Sequence, residues 1–222
     1  MGAAWQLNTI QCCNTVLRFV QCTVPAVMES DLPDRFLTNE DRVYAGRFRS
    51  PHRQHQSLVG RILIRLLLQK SWDHDPANWV IHPAPDGRPE CYLDDLQCHI
   101  SISHDGDQVM AALCPDFGVG IDVQQIDPDR DIRRIIQGWL PMTDPGPAFP
   151  AQRYWQLWCL AEAWLKATGT NIDSDTLGRF LALEEYPASG LLGTPLKIGG
   201  RAIWTESTED MEKCLVLDCP AT

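Results

Sequence analysis

Asp122 and Gln124 stand two residues apart in the segment Gly118-Val119-Gly120-Ile121-Asp122-Val123-Gln124, which reads as a strand. Side chains at that spacing leave a strand on the same face. Forty residues on, Trp158-Cys159-Leu160-Ala161-Glu162-Ala163-Trp164-Leu165-Lys166 reads as a helix. Residues four apart are neighbours there, so Trp158, Glu162 and Lys166 make one stripe. If strand and helix meet, two carboxylates, an amide oxygen and an ammonium converge at one point. That set suits Mg²⁺, a hard cation commonly held by one or two carboxylates together with substrate phosphates. Each piece also has an ordinary reading. Asp122 could cap a strand end, and a Glu–Lys pair four apart contributes roughly 0.2–0.5 kcal/mol to a helix and need do nothing else.

The elements that must carry these groups can be traced along the chain. Residues 16–20 and 21–24 suggest a strand. Thr38 or Asn39 is placed to cap a short helix or turn. The strongest helix covers about 53–70, where Leu58, Ile62, Leu66 and Val59, Leu63, Leu67 recur at helical spacing. Pro83-Ala84-Pro85-Asp86-Gly87-Arg88-Pro89 is turn chemistry. Residues 99–103 alternate as a strand, and 109–114 read as its hairpin partner across Asp105-Gly106. Pro115-Asp116-Phe117-Gly118 is the best lobe boundary, dividing the chain into 1–117 and 118–222. Beyond it come a strand at 119–123, a helix around 129–140 and a Pro/Gly-rich stretch from 141 to 150. A helix over 151–168 is closed by Gly169, and strand-like pieces follow near 178–184, 195–204 and 213–218.

Composition narrows the function classes. The chain has 222 residues, 44% hydrophobic and 22% charged, which suits a soluble globular protein. No span approaches the roughly 20 apolar residues of a membrane crossing, and no secretory leader is visible, so the cytoplasm is expected. The net charge of −10 argues against nonspecific nucleic-acid binding. Nine cysteines, with no Cys-x-x-Cys, read as buried free thiols rather than disulfides or a zinc site. The eight tryptophans read as packing groups. Arg42, Arg47, Arg49, Arg53, Arg61, Arg65 and Lys70 follow one another with no acid among them. They are either a solvated helix face with a basic loop or a site for a phosphate-rich molecule or acidic partner.

With Ser101-Ile102-Ser103-His104, Gly87-Arg88-Pro89 and the basic helix start at Arg47-Phe48, the strand and helix above resemble five segments of one family in its order. The chain is identified as resembling the 4′-phosphopantetheinyl transferases of the two-repeat, surfactin-synthetase-activator (Sfp-like) class. That family is marked by a Gly-Ile-Asp-x-Glu strand and a Trp-x-x-Lys-Glu-Ala/Ser-x-x-Lys helix. The resemblance covers about residues 40 to 170.

The resemblance implies an α+β pseudo-dimer, two similar lobes that each pack a small antiparallel sheet against a long helix, with the site in the cleft between them. It implies a Mg²⁺-dependent enzyme. Its reaction moves 4′-phosphopantetheine from coenzyme A to a serine of an apo acyl or peptidyl carrier protein and releases 3′,5′-ADP. Such proteins serve fatty-acid, polyketide or nonribosomal-peptide synthesis, and a monomer with no nucleic-acid or membrane partner is expected. By position, Asp122, Gln124 and Glu162 would hold the metal, Glu162 and Lys166 would carry the catalysis, and Arg47, Arg53, Arg88, Ser103 and His104 would contact coenzyme A. Gln124 stands where the family often has Glu, and Ala161 where it usually has Lys. These departures keep a second reading open, a non-catalytic binder of coenzyme A or carrier protein with the same fold. A third reading is a Mg²⁺-dependent phosphohydrolase acting on coenzyme A.

Overall fold

The computed structural model describes residues 5–12, 15–85, 87–127, 129–139, 151–170, 202–207 and 211–218. The chain is α+β. Strands β1 (Trp5–Cys12) and β2 (Thr15–Thr23) open it as a hairpin. Three short helices follow, α1 (Val24–Met28), α2 (Leu32–Phe36) and α3 (Asn39–Ala45), and then the long α4 (Pro51–Ser71). Thr38 and Asp41 close a reciprocal capping box at the start of α3. Ser50 caps α4, with Pro51 in the first turn, where its missing N–H costs nothing. A single 3₁₀ turn (Pro76–Asn78) leads to β3 (Val80–Pro83), β4 (Pro89–Leu93), β5 (Leu96–Asp105) and β6 (Gln108–Cys114). After β7 (Gly118–Gln125) come α5 (Ile132–Trp139), α6 (Ala151–Thr168), β8 (Ala202–Ser207) and β9 (Met211–Asp218).

Two antiparallel sheets result. The larger runs β1-β2-β6-β5-β4-β3, and the smaller runs β7-β9-β8. The expected hairpin of residues 99–103 with 109–114 is β5 on β6, in the register His99↔Cys114 through Asp105↔Gln108. The expected strand near 178–184 lies outside the described residues, as does the stretch 141–150. Residues 5–12, where sequence alternation was poor, are a strand paired along their whole length with β2.

Strand β6 explains how the sheets are layered. Val109, Ala111 and Leu113 face α4 and join Val59, Ile62, Leu63 and Leu67 in the main core. Met110, Ala112 and Cys114 face the other way and pack with Leu17 and Phe19 against Val119, Ile121 and Val123 of β7. Burial on both faces makes β6 a continuous apolar run rather than an alternating one. Helix α6 lies over β7 and β9.

Two members of the cationic run take neither of the expected roles. Arg61 and Arg65 are buried and close on the buried Asp41 at 2.8 and 2.9 Å. Arg61 also donates to the Ile81 carbonyl, and Arg65 to those of Pro76 and Trp79. Burial works against the Asp41 carboxylate, but the two guanidiniums outweigh it and hold its pKa below the ordinary value. The acid that pairs with these two arginines sits one residue before the run in sequence. Cys22, Cys91, Cys98, Cys114 and Cys159 are buried.

Candidate active site

Asp122 lies in the middle of β7, and α6 brings Glu162 and Lys166 to it. The approach depends on Gly120, where an added Cβ would overlap the Ala163 carbonyl oxygen. Without a side chain there, helix backbone rests directly on strand backbone. The expected stripe of Trp158, Glu162 and Lys166 then lines a cleft of about 480 Å³ with Asp122, Gln124, Ser103 and His104.

The ammonium of Lys166 does not stand free in this cleft. It donates to Asp122 Oδ1 at 2.7 Å, and to Ser103 Oγ and the Ile121 carbonyl at 3.2 Å each. An ammonium has three protons, and three acceptors take them. Burial works against its charge, but Asp122 and then Glu162 outweigh that and raise its pKa. Lys166 is therefore the counter-ion of Asp122.

Asp122 is buried, in mid-strand rather than capping a strand end. Its Oδ1 accepts the Ser103 hydroxyl at 2.7 Å as well as Lys166, and its Oδ2 accepts the Gln124 amide at 2.9 Å. Ser103 thus turns inward to Asp122 and Lys166. Glu162 is half-buried. Burial raises its pKa, Lys166 lowers it and Asp122 raises it again, leaving it above the ordinary carboxylate value.

His104 faces both this cleft and an adjoining pocket of about 160 Å³ that Arg53, Tyr44 and Phe48 also line. Its pKa falls to about 4 through burial and then the charges of Arg53 and Lys166. Arg53 stacks 4.6 Å over the Phe48 ring. Arg47 sits 5.6 Å over Tyr44 and is not among the residues lining either cavity. Arg88 is placed elsewhere. It packs against Gly169 at the C-terminal end of α6 and lines a separate pocket of about 200 Å³ that touches the cleft only through Lys166. Cations are favoured at such a helix end.

Two features escaped sequence reasoning. Arg130, on the loop after β7, lines the cleft with its guanidinium 5.3 Å over Trp155. Tyr154 and Trp158 stack beside it at 5.9 Å, so tryptophans read as packing groups also form a wall of the site. Ala161, read as a gap beside Glu162, is fully buried and lines no part of the cleft.

The donors suit a hard divalent cation. Asp122 Oδ2 keeps a lone pair beside its one amide donor, Glu162 adds a second carboxylate, and Gln124 has a hard amide oxygen. No cluster of three acidic, histidine or cysteine side chains forms among the described residues, so waters and substrate oxygens would have to complete the shell.

Curated proteins match the chain over part of its length. A phosphopantetheinyl transferase of Thraustochytrium sp. is 27% identical over 174 residues, 70% of this chain and 60% of the relative. A 4′-phosphopantetheinyl transferase of Bacillus subtilis is 27% identical over 149 residues, 65% of each chain. The 4′-phosphopantetheinyl transferase Sfp of Bacillus subtilis strain 168 is 23% identical over 143 residues, 62% of each. Over about 60–70% of its length the chain is thus similar to several 4′-phosphopantetheinyl transferases, Sfp among them. The matches span less than two thirds of each of these relatives' own lengths. No protein-family model matches the chain. Among the described residues no helix is long and apolar enough to cross a membrane.

Proposed function

We propose that the chain transfers 4′-phosphopantetheine from coenzyme A to a serine of an apo acyl or peptidyl carrier protein. The observation that carries this is one cleft shared by two carboxylates, one of them a lysine-held aspartate, and an arginine over an aromatic wall, in a chain similar to such transferases. The serine oxygen forms a bond to the β-phosphorus of coenzyme A. The bond from that phosphorus to the bridging oxygen breaks, 3′,5′-ADP leaves, and the serine proton passes to Glu162. A carboxyl with a raised pKa is a better base than an ordinary one and is worth about 10²–10⁴ in rate.

Bound Mg²⁺ would supply Lewis-acid charge on the pyrophosphate, held by Asp122, Glu162 and Gln124. Lys166 and Ser103 fix the Asp122 carboxylate. Arg130, Arg53 and a neutral His104 are the groups we assign to the substrate's phosphates, Arg130 supplying the charge that position 161 does not. Arg47 and Arg88 serve, in this reading, more distant parts of the nucleotide or the carrier surface. The same reading takes residues 1–117 and 118–222 as two lobes of a pseudo-dimer that completes its site within a monomer in the cytoplasm.

The test is mass spectrometry of an apo carrier protein after incubation with coenzyme A and Mg²⁺. A gain of the phosphopantetheine mass is expected. Binding of coenzyme A without that gain would leave the binding-module reading, and release of 3′,5′-ADP without a modified carrier would leave the phosphohydrolase.

A further inference from the structure

Among the described residues, strand β7 stands at the edge of the smaller sheet. Its neighbour within the smaller sheet is β9, so its other side presents N–H groups that no strand in that sheet pairs. Unpaired backbone donors in a buried setting are costly. Three alternate residues of β5 meet them. Ile121 N–H donates to Ser101 Oγ at 3.0 Å, Val123 N–H to Ser103 Oγ at 3.3 Å, and Gln125 N–H to Asp105 Oδ2 at 2.6 Å. Period two on β5 thus matches period two on β7, and side chains stand in for a missing partner strand. Asp122 and Gln124 lie between these rungs.

The last rung has its own support. Asp105 Oδ1 accepts the Gly106 N–H at 3.1 Å. The Gly106 carbonyl in turn accepts the buried Gln56 amide of α4 at 2.7 Å and lies 3.0 Å from His52 Nε2. The Asp107 carbonyl accepts Val24 N–H at 2.8 Å. The turn carrying Asp105 is tied to α4 and to α1, so its carboxylate is a fixed point for the end of β7.

We propose that Asp105 is a positioning residue. Through the Gln125 N–H it sets where β7 carries Gln124 and Asp122 relative to Glu162, and so sets the affinity of the site for a divalent cation. This rests on the transferase reading for its activity arm only. Asp105 accepts with both oxygens, one for Gly106 and one for Gln125; an asparagine keeps one acceptor oxygen and should therefore serve the Gln125 N–H at the expense of the Gly106 N–H.

The experiment compares the full chain with Asp105→Ala and Asp105→Asn. Amide exchange is followed at Gln125 and Val123, Mg²⁺ is titrated against the tryptophan fluorescence of the cleft wall, and transfer kinetics are measured. In Asp105→Ala, exchange at Gln125 should rise about tenfold, the size expected when one net hydrogen bond is lost. The Mg²⁺ concentration for half-saturation should rise several-fold, with KM for coenzyme A nearly unchanged. Asp105→Asn, with one acceptor oxygen left, should restore both in part. Unchanged exchange in the alanine variant, or an asparagine variant as defective as alanine, overturns the proposal. So does faster exchange with an unmoved Mg²⁺ titration, which would mean a rung that holds the strand and nothing more. A wild type that binds Mg²⁺ but modifies no carrier sinks the transferase reading and leaves the exchange and titration arms to decide this one. A wild type that binds no Mg²⁺ overturns both.

Discussion

Glu162 and Asp122 line one cleft but answer to different forces. Glu162 is half-buried, and burial opposes its charge while Lys166 favours it, so Glu162→Gln should keep the unfolding midpoint within a degree or two. Its transfer rate should fall about 10²–10⁴-fold, the usual worth of a general base. Asp122 is wrapped by Ser103, Lys166 and Gln124, and removing it leaves a lysine beside an empty space. Breaking a buried pair by deleting one partner costs about 3–5 kcal/mol, and the partial exposure of Lys166 places Asp122→Ala at or below the low end of that. Urea unfolding of the two variants separates a residue that acts only in the reaction from one that also holds the fold. Arg130→Gln should raise KM for coenzyme A several-fold and leave stability alone, because the guanidinium is exposed over Trp155. Steady-state kinetics with coenzyme A as the varied substrate check it. At this scale the sequence was most informative where spacing did the work. Asp122, Gln124, Glu162 and Lys166 were legible as a group because strand and helix periods place them. Arg130 was not, since a loop residue carries no period. The inward turn of Ser103 was not legible either, since its partners lie 19 and 63 residues away.

The contact between β7 and α6 is set by a missing side chain. Gly120→Ala would drive a methyl into the Ala163 carbonyl and the Ala167 amide, which are backbone and cannot swing aside. Overpacking typically costs 1–3 kcal/mol, and a backbone clash belongs near about 3 kcal/mol. The displaced helix should also lengthen the Lys166–Asp122 contact, so activity should fall further than stability alone explains. Thermal unfolding and transfer assays on the same preparation test this. Helices α4 and α6 were visible in the sequence because each has a face with helical recurrence. Strand β1 was not, because polar Asn8 and Thr9 stand in a strand paired on one side only, with Leu7 left exposed. The buried arginines of α4 were misjudged for a related reason. Their partner Asp41 lies on α3, and charge counted along the chain cannot show a carboxylate folded back onto it.

Across the whole molecule, periodicity told which faces are buried but not what covers them, so the docking of β7 against β5 and β6 had to come from the structure. That docking makes the junction sensitive to charge. His104, on β5, faces Arg53 from α4, Lys166 from α6 and Asp122 from β7, with His52 also nearby, and cations prevail. Its pKa falls from 6.5 to about 4 on folding. The unfolded chain therefore binds the extra proton first as the pH drops. The contribution of His104 is fully present above about pH 6.5 and is lost progressively towards pH 4. His99, lowered chiefly by burial, acts in the same direction, whereas Glu162, raised by burial, acts in the opposite one. Absolute unfolding midpoints mix these, but a difference between variants does not. His104→Gln removes one titration and leaves the others. Its midpoint should fall less than that of the wild type between pH 7 and pH 4.5, so that the gap between the two narrows or reverses as acid is added. Parallel curves across that range would show that His104 keeps its ordinary pKa on folding, so that neither its burial nor the cations of α4 and α6 bear on it.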